Sequence, residues 1–338
     1  MKRFSTCWLT ALVSCHLLLY GPDRSNADTL RFRVVSYNVE NLFDCRHDTL
    51  KEDTDFLPGA VRHWNESKYR KKLDRIARVI TAAGGWTPPA LVALEEVEND
   101  SVLRDLTRRS ALREAGYRYV MTQSSDHRGI DVALLYQRGM FKLLATQHIP
   151  IPPTDGTHHF RPTRDILHVS GLLPTLDTLD VFVCHFPSRA GGAAQTEPYR
   201  QLAARQLSAA IDSLFGCRRH PQFLIMGDLN ADCRLLSHPR LHHLLDNRAE
   251  FRQHRFGSYR YRGEWELIDH IIVSDALLQP DAPLHADRRH ADVFRAPFLL
   301  RPDKQYGGKQ PFRTYNGMRY QGGYSDHLPV WAELRLVY

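Results

Sequence analysis

Acids, amides and histidines recur at six points in the chain, each beside a short apolar run. The six segments are Ser36-Tyr37-Asn38-Val39-Glu40, Leu94-Glu95-Glu96-Val97, residues 184–189, Gly227-Asp228-Leu229-Asn230, Ile268-Asp269-His270 and Ser325-Asp326-His327. Groups of these types can bind a hard metal ion, orient a phosphate and transfer protons. One such residue at a strand end is usually a cap or a turn residue, whereas six of them indicate a shared site.

The spacing within two segments favours a ligand site over isolated turns. Asn38 and Glu40 are two residues apart, as are Asp228 and Asn230, so an extended chain directs both members of each pair to one side. Carboxylate and amide oxygens suit Mg²⁺, Mn²⁺ or Ca²⁺, whereas the sequence lacks the His and Cys spacings of a dedicated zinc site. Arg189, which closely follows a histidine, is a candidate phosphate clamp.

Seven apolar runs predict the strands that must position these residues, because Val, Ile and Leu dominate them. The runs are 32–37, 91–94, 132–136, 179–184, 223–226, 268–273 and 330–336. Helices are predicted at 68–81 and at 198–214, the second with Pro198 in its first turn. Some strands follow one another without room for a helix, which predicts α/β layers with mixed sheets. Two long loops are predicted at 44–65 and 278–323.

Residues 1–27 have the pattern of an export signal. Lys2 and Arg3 precede an apolar stretch, and Ser25-Asn26-Ala27 provides small residues for cleavage. The alternative is a lipoprotein signal, since Leu12-Val13-Ser14-Cys15 resembles a lipobox that would leave a lipid on Cys15. We expect a protein that is exported to the periplasm or outside the cell, with residues 28–338 forming a single domain.

The net charge and the cysteine content say less about function than the motifs do. The chain has 338 residues with a net charge of +7. Removing residues 1–27 takes away three basic residues and one acid and leaves +5, which suits an anionic substrate. Four cysteines then remain, Cys45, Cys184, Cys217 and Cys233, and an oxidising compartment would permit disulfides without the sequence specifying a pairing. No stable protein partner is predicted, so a monomer is expected.

The order of the motifs resembles the endonuclease/exonuclease/phosphatase superfamily, the deoxyribonuclease I-like proteins. The resemblance spans residues 31–336 and is most specific in Gly227-Asp228-Leu229-Asn230 and Ser325-Asp326-His327. Residues 126–136 and 185–189 are similar to a bacterial extracellular branch of that superfamily. The resemblance implies a four-layer α/β/β/α sandwich, in which two packed mixed β-sheets are flanked by helices.

The resemblance also implies a ligand set for a divalent ion, with Mg²⁺ expected and Mn²⁺ or Ca²⁺ as alternatives. Glu96 would be the principal ligand, helped by Asn38, Glu40 and Asp326. Glu95 is the alternative to Glu96, and Glu40 has the alternative role of capping a turn.

The same resemblance implies the reacting groups. His327 would be the general base, oriented by Asp269. Asp228 would activate the nucleophile or stabilise the reacting site, and Asn230 would hold a phosphate oxygen. His185 would bind phosphate or protonate the leaving oxygen, braced by Asp131. The alternative for Asp131 is a structural pair with Arg128, and His270 is expected to be a surface residue.

Three classes of function fit these residues: a metal-dependent endonuclease on DNA or RNA, a phosphodiesterase or phosphatase on a lipid head group or small phosphate ester, and a non-catalytic binding module. The binding module is disfavoured because every reacting residue type is present. The nuclease is favoured by the basic and aromatic stretch 252–262, whose arginines include Arg252, Arg255, Arg260 and Arg262. The alternative reading of that stretch is a solvated edge strand.

Overall fold

The computed structural model describes residues 29–152, 162–245 and 256–337. The predicted export signal, the lipobox cysteine, Arg252 and Arg255 lie outside the described residues. Three helices and eighteen strands are described, in this chain order: β1 (Thr29–Leu42), α1 (Glu66–Gly84), β2 (Leu91–Val97), α2 (Asp100–Arg109), β3 (Arg118–Met121), β4 (Asp131–Tyr136), β5 (Lys142–Ile149), β6 (Ile166–Leu172), β7 (Thr178–His185), α3 (Ala193–Cys217), β8 (Gln222–Asp228), β9 (Leu241–His243), β10 (Tyr259–Tyr261), β11 (Glu264–Glu266), β12 (Asp269–Ser274), β13 (Leu284–Val293), β14 (Leu300–Pro302), β15 (Lys309–Pro311), β16 (Tyr315–Asn316), β17 (Arg319–Tyr320) and β18 (Val330–Val337).

Two six-stranded sheets form the centre of the molecule. The first has the order β13-β18-β1-β2-β4-β3 and the second the order β5-β6-β7-β8-β12-β9. Each sheet is mixed, because β1 pairs with β2 and β7 pairs with β8 in parallel, whereas the other neighbours are antiparallel. Their inner faces share one apolar core that includes Val34 and Ala93 of the first sheet and Val183 and Met226 of the second.

Helices cover the outer faces of both sheets. The core at the first sheet includes Leu73 and Ile76 of α1 and Leu103 of α2. The second sheet has a separate apolar cluster, in which Leu207 and Ile211 of α3 are buried with strand residues. The structure therefore confirms the predicted four-layer α/β/β/α sandwich.

Each of the seven predicted strands is present, with its ends shifted by a few residues. The first helix is confirmed, and Asn65 caps it by accepting a hydrogen bond from the Lys68 backbone N–H at 3.1 Å. The second helix begins earlier than predicted, at Ala193, so Pro198 lies inside it rather than in its first turn. Side chains support this early start: the Thr196 hydroxyl donates to Gly192 O at 2.9 Å and the Arg200 guanidinium donates to Ala193 O at 2.7 Å.

The prediction of a continuous loop over residues 278–323 was wrong in part, because this segment contains β13 to β17. Alternation was hard to see there, since exposed polar residues such as Arg288 and Arg289 occupy the middle of β13. The loop 44–65 is confirmed apart from a single short turn of 3-10 helix. No disulfide is formed among the cysteines of the described residues. Within the same residues, no helix is long and apolar enough to cross a membrane.

Candidate active site

Strand register places three of the predicted site residues side by side. His185 ends β7 opposite Asp228 at the end of β8, and Asp228 is in turn opposite Asp269 at the start of β12. All three are at least 97% buried. The approach of β7 to β8 requires glycine at position 227, since a Cβ there would lie 1.9 Å from Cys184 O. The second sheet thus presents an imidazole and two carboxylates as one row.

His327 joins this row from the segment before β18. Its Nδ1 is 2.9 Å from Asp269 Oδ2 and its Nε2 is 3.7 Å from Asp228 Oδ2. Ser325 fixes the approach, because its hydroxyl accepts from the His327 backbone N–H at 3.1 Å and donates to Asn38 O at 2.7 Å. We call His185, Asp228, Asp269 and His327 the reaction centre.

The two histidines of the reaction centre share Asp228. His185 Nε2 is also 3.7 Å from Asp228 Oδ2, and it lies 4.0 Å from Glu96 Oε1. Two imidazole nitrogens therefore face one carboxylate oxygen, an arrangement suited to moving a proton and holding an oxyanion.

The ends of β1 and β2 supply the amide and carboxylate side of the site. Asn38 Nδ2 donates to Asp228 Oδ2 at 3.1 Å, and Glu96 Oε2 accepts from the Asn41 backbone N–H at 2.8 Å. Glu40, Asn41, Glu96 and Asn230 are four of the seven described non-glycine residues with positive φ. Strained backbone of this kind concentrates at functional sites.

Glu95 and Glu96 have opposite environments. The pairing of β2 with β4 shifts register between Glu95 and Val97, so Glu96 is the extra residue of a bulge that turns its side chain toward His185. Glu95 is completely buried, accepts from the Ser36 hydroxyl at 3.0 Å and leaves Oε2 without a hydrogen-bond partner. Burial and the neighbouring Asp269 carboxylate hold the pKa of Glu95 well above its usual range. Of the two acids, Glu96 is the one whose carboxylate lies beside His185 and the Asn41 backbone N–H, where the predicted ligands of β1 also end.

Asp228, Asp269 and His327 each offer a ligand atom within 4.8 Å of the others, a spacing able to hold a divalent ion. None of these three is a residue that the family resemblance implies as a ligand, and the implied ligand Glu40 is engaged elsewhere. Glu40 accepts from the backbone N–H groups of Thr314 at 2.6 Å and Tyr315 at 3.2 Å. Its position as a backbone anchor agrees with the alternative role considered for it.

Burial and neighbouring charges shift the pKa values of His327, Asp228 and His185 in different directions. Burial opposes the charged form of His327, but the carboxylates of Asp269 and Asp228 outweigh it and hold the pKa of His327 well above the usual value. Burial raises the pKa of Asp228 to about 7, against the opposing effect of His327. Burial, together with Arg164 and Arg128, holds the pKa of His185 well below its usual value. Burial therefore favours the neutral form of His185, whereas the carboxylates of Asp269 and Asp228 favour the protonated form of His327.

Asp131 does not brace His185 in this structure. Its Oδ1 accepts from the Thr122 hydroxyl at 2.6 Å and from the Ser124 backbone N–H at 3.0 Å, while His185 Nδ1 has no hydrogen-bond partner. The alternative pair with Arg128 is not formed either, since the Arg128 guanidinium is 3.9 Å from Asp126. Asp131 therefore stabilises the turn before β4.

Asn230 and Arg189 lie beside the reaction centre but are held by other partners. Asn230 Nδ2 donates to Phe186 O at 3.1 Å, and its backbone N–H donates to Asp228 Oδ1 at 2.8 Å. Arg189 pairs with Glu266 and donates from Nε to Asn230 O at 2.8 Å. A phosphate would have to displace Glu266 to use the predicted clamp.

The basic and aromatic stretch is corrected at one residue. The Arg260 guanidinium, predicted to contact phosphate, is buried and donates to Asp303 at 2.9 Å and to the carbonyls of Lys309, Gly307 and Gly263. It ties the β10–β11 hairpin to the β14–β15 hairpin and has no free donor face. His270, expected at the surface, is also buried, with Nε2 2.9 Å from Ala231 O.

Three charged groups of the site were not predicted as functional. Arg164 is buried against Asp126 at 3.2 Å and donates to Phe186 O, next to His185. Lys72 and Arg313 lie at the carboxylates of Glu40 and Asp326. In sequence all three look like ordinary surface cations, and no local motif marks them.

A groove of about 1010 Å³ lies on the α3 side of the second sheet, and none of the four reaction-centre residues lines it. It runs along α3, and its lining includes Arg189, Asn230, Glu197, Arg205, Asp212 and Arg234. Both signs of charge therefore face the groove, and Asn230 and Arg189 are the two predicted site residues in its lining.

Known proteins identify the architecture. Residues 33–336 match the model of the Endonuclease/Exonuclease/phosphatase family. No curated protein is significantly similar in sequence. Among solved structures, an endonuclease/exonuclease/phosphatase family protein from Bacteroides thetaiotaomicron superposes with a TM-score of 0.56 at 14% identity, covering 92% of this chain and 97% of that one.

Two further structures share the fold. D. rerio TDP2 complexed with single strand DNA product has a TM-score of 0.54 at 14% identity, covering 90% of this chain and 98% of that one. A mannosyl-6-phosphatase of Bacteroides thetaiotaomicron VPI-5482 has a TM-score of 0.54 at 17% identity, with 90% and 99% covered. At such identities the structural likeness establishes the fold alone, and the family is established by the match over most of the chain. The protein is a member of the endonuclease/exonuclease/phosphatase family of phosphoesterases.

Proposed function

We propose that this phosphoesterase is a metal-dependent phosphodiesterase that cleaves DNA or RNA internally. The observation that carries the hydrolytic part is the placement of both histidine Nε2 atoms at 3.7 Å from Asp228 Oδ2. Hydrolysis needs one group that takes a proton from water and others that hold the phosphate, and the reaction centre supplies both kinds.

The residues present fit a divalent ion. Asp269 Oδ1 is buried without a hydrogen-bond partner, and Asp228, Asp269 and His327 offer ligand atoms within 4.8 Å of one another. Burial and the Asp326 carboxylate raise the pKa of Glu40 to about 7, so Glu40 and Asp326 form a second acidic pair that a cation would compensate. Asn38 directs Nδ2 at Asp228, and its Oδ1 accepts from the Glu40 backbone N–H. When bound, Mg²⁺ or Mn²⁺ would supply charge neutralisation at the phosphate and lower the pKa of a water molecule.

We assign proton transfer to the Asp228, Asp269 and His327 unit. Asp269 holds His327 Nδ1 at 2.9 Å, which orients Nε2 toward Asp228. With the pKa of Asp228 at about 7, this unit can take a proton from an attacking water near neutral pH. The water oxygen bonds to phosphorus as the phosphorus–oxygen bond to the leaving group breaks, and the proton that the unit took from the water is available to the leaving oxygen.

His185 is assigned to phosphate binding rather than to protonating the leaving oxygen. Burial keeps the ring neutral, so one nitrogen can donate a hydrogen bond to a phosphate oxygen without a proton being transferred. The 4.0 Å separation from Glu96 leaves Nε2 directed into the site.

The rim of the site supports a nucleic-acid substrate. Tyr259 packs on His327 with ring centroids 4.8 Å apart, and Tyr261 lies two residues farther on the same face of β10. Tyr261 is 53% exposed and its ring lies 5.2 Å from the Arg262 guanidinium. An exposed aromatic ring with an adjacent cation is suited to stacking a base and contacting its phosphate. The TDP2 likeness supports the same class.

A small phosphate ester is the second candidate. It is favoured by the groove along α3, whose mixture of acids and arginines suits a hydroxylated ligand, and by the likeness to a mannosyl-6-phosphatase.

The test is a comparison of substrates with the purified full chain in Mg²⁺ or Mn²⁺. Plasmid DNA, single strands, RNA, sphingomyelin vesicles, a sugar phosphate and a chromogenic phosphodiester are assayed together.

Arg262→Ala should weaken nucleic-acid binding, because one phosphate contact is lost. The dependence of the logarithm of the binding constant on the logarithm of the salt concentration should become shallower by roughly 0.7–0.9. Arg109→Ala, which changes an arginine at the far end of α2, is the matched control. A sugar phosphate or lipid hydrolysed far faster than any nucleic acid would refute the nuclease.

Export is proposed separately, on the signal pattern of residues 1–27. Expression in a bacterial host followed by mass measurement of the exported protein should give a chain beginning at Asp28. A lipid-modified chain beginning at Cys15 would favour the lipoprotein alternative.

A further inference from the structure

Two carboxylates at the predicted metal side of the site are held by an arginine of the same chain. Arg313 Nη2 donates to Asp326 Oδ2 at 2.8 Å, and Arg313 Nε is 3.5 Å from Glu40 Oε1. The guanidinium therefore bridges two of the residues that sequence assigns to a divalent ion.

A second cation supports the same loops from inside. Lys72 of α1 is 2% exposed, and its Nζ donates to Thr314 Oγ1 at 2.5 Å and to Tyr324 O at 2.6 Å. Thr314 in turn donates its backbone N–H to Glu40. Lys72 is thus a fixed part of the interior that ties the Arg313 segment to the segment carrying Asp326.

The two cations differ in their freedom to move. The Arg313 side chain is 35% exposed, and its Nε, although close to Glu40, makes no well-aligned hydrogen bond. Lys72 is enclosed, so its displacement would leave a buried charge without compensation. Of the two, Arg313 is the one that can leave its carboxylates at modest cost.

A divalent ion and the Arg313 guanidinium would place two positive charges on one carboxylate, Asp326, whose Oδ2 Arg313 already holds. Two like charges a few ångströms apart repel in a partly buried site, even when they bind different oxygens. Resting on the proposed metal dependence, we propose that Arg313 is a built-in competitor of the metal. It compensates Asp326 and Glu40 in the metal-free protein and releases Asp326 when the ion binds. The affinity of the site for the ion is correspondingly lower than its carboxylates alone would give.

Isothermal titration of the full chain with Mn²⁺ tests this proposal without any activity assay. Arg313→Gln should bind Mn²⁺ roughly tenfold more tightly than the wild type, the scale of one charge-assisted hydrogen bond. Arg189→Gln is the matched control, because Arg189 is 34% exposed beside the same site but pairs with Glu266. Its Mn²⁺ affinity should equal that of the wild type.

Thermal unfolding provides a second readout. Without metal, Arg313→Gln should melt below the wild type, since Asp326 and Glu40 lose their counter-charge. Saturating Mn²⁺ should raise its melting temperature by more than that of the wild type, because tighter binding stabilises the folded state more.

The outcomes separate this proposal from the proposed function. Equal or weaker Mn²⁺ binding by Arg313→Gln would overturn the competition while leaving metal dependence intact. Absence of Mn²⁺ binding in all three proteins would overturn the metal dependence and the competition together.

Discussion

Two clusters of buried polar side chains lie at opposite ends of β7. Near its start, Asp180 contacts His168, Ser170 and Arg218, which we call the Asp180 cluster. At its end, His185 belongs to the reaction centre with Asp228, Asp269 and His327. Both clusters combine carboxylates with imidazoles, and both lie on the second sheet.

The clusters differ in how many of their buried polar atoms have a hydrogen-bond partner. Asp180 Oδ1 accepts from His168 at 2.9 Å, from the Arg218 guanidinium at 2.9 Å and from the Ser170 hydroxyl, while Oδ2 accepts from Arg218 at 2.9 Å. In the reaction centre, Asp269 Oδ1 and His185 Nδ1 have no hydrogen-bond partner.

The same difference appears in proton affinity. Burial alone would raise the pKa of Asp180, but hydrogen bonds from His168, Arg218 and Ser170 lower it to about 2. Burial raises the pKa of Asp228 to about 7 because its neighbours compensate it less completely. A satisfied cluster stabilises the fold, whereas an incompletely satisfied one keeps groups available for a substrate or an ion.

The largest expected effect is on activity at the reaction centre. His327→Ala should lower turnover of a phosphodiester at least roughly a hundredfold, because the proton-transfer unit loses its imidazole. Its free energy of unfolding should also fall, because the substitution leaves the buried carboxylates of Asp269 and Asp228 without their cationic partner, so turnover is compared per folded molecule. Steady-state kinetics and urea unfolding measure the two quantities. Near-normal turnover would remove the proposed mechanism.

Substitution in the Asp180 cluster should lower stability without lowering turnover. Asp180→Ala leaves His168, Ser170 and Arg218 without their shared acceptor, and should lower the free energy of unfolding by about 3 kcal/mol. Turnover per folded molecule should equal that of the wild type, because the cluster lies at the far end of β7. If turnover fell in proportion to that in His327→Ala, the division into a structural and a reactive cluster would be wrong.

The smallest effect is a pH dependence confined to the Asp180 cluster. Its folded pKa of about 2 is below the ordinary value of about 3.9 in an unfolded chain. The stabilisation is therefore fully present above about pH 4 and is lost as the pH falls toward 2. The stability difference between wild type and Asp180→Asn should shrink by about 2 kcal/mol over that interval in urea unfolding. A difference that stayed constant with pH would show that Asp180 ionisation does not stabilise the fold.

The mixed α/β layers and the row of site residues could be predicted from the sequence pattern for one physical reason, whereas the four-layer sandwich was implied by the family resemblance. Strands buried on both faces give nearly continuous apolar runs, and the polar residues that end them have to meet at the sheet edge. The four residues of the reaction centre were identified in this way. Short or edge strands such as β13 were missed because exposed arginines interrupt their pattern.

The remaining features depend on contacts between distant parts of the chain. Lys72 reaches Tyr324, and Arg313 reaches Glu40, over separations of 252 and 273 residues that no local pattern encodes. The Asp131 brace failed for a similar reason, since Thr122 and Ser124 are nearer partners in the folded turn. Sequence therefore identified which residues could react, while the structure was required to find which charges compensate them.

Metal dependence of hydrolysis at the reaction centre tests the account most directly. The full chain is assayed on a chromogenic phosphodiester after treatment with EDTA and again after addition of Mg²⁺ or Mn²⁺, with His185→Ala in parallel. The chromogenic diester reaches the reaction centre whichever natural substrate the enzyme prefers. We predict that EDTA abolishes turnover, that Mg²⁺ or Mn²⁺ restores it, and that His185→Ala remains at least roughly a hundredfold slower with either ion. Undiminished hydrolysis in EDTA, or wild-type turnover by His185→Ala, would contradict the account.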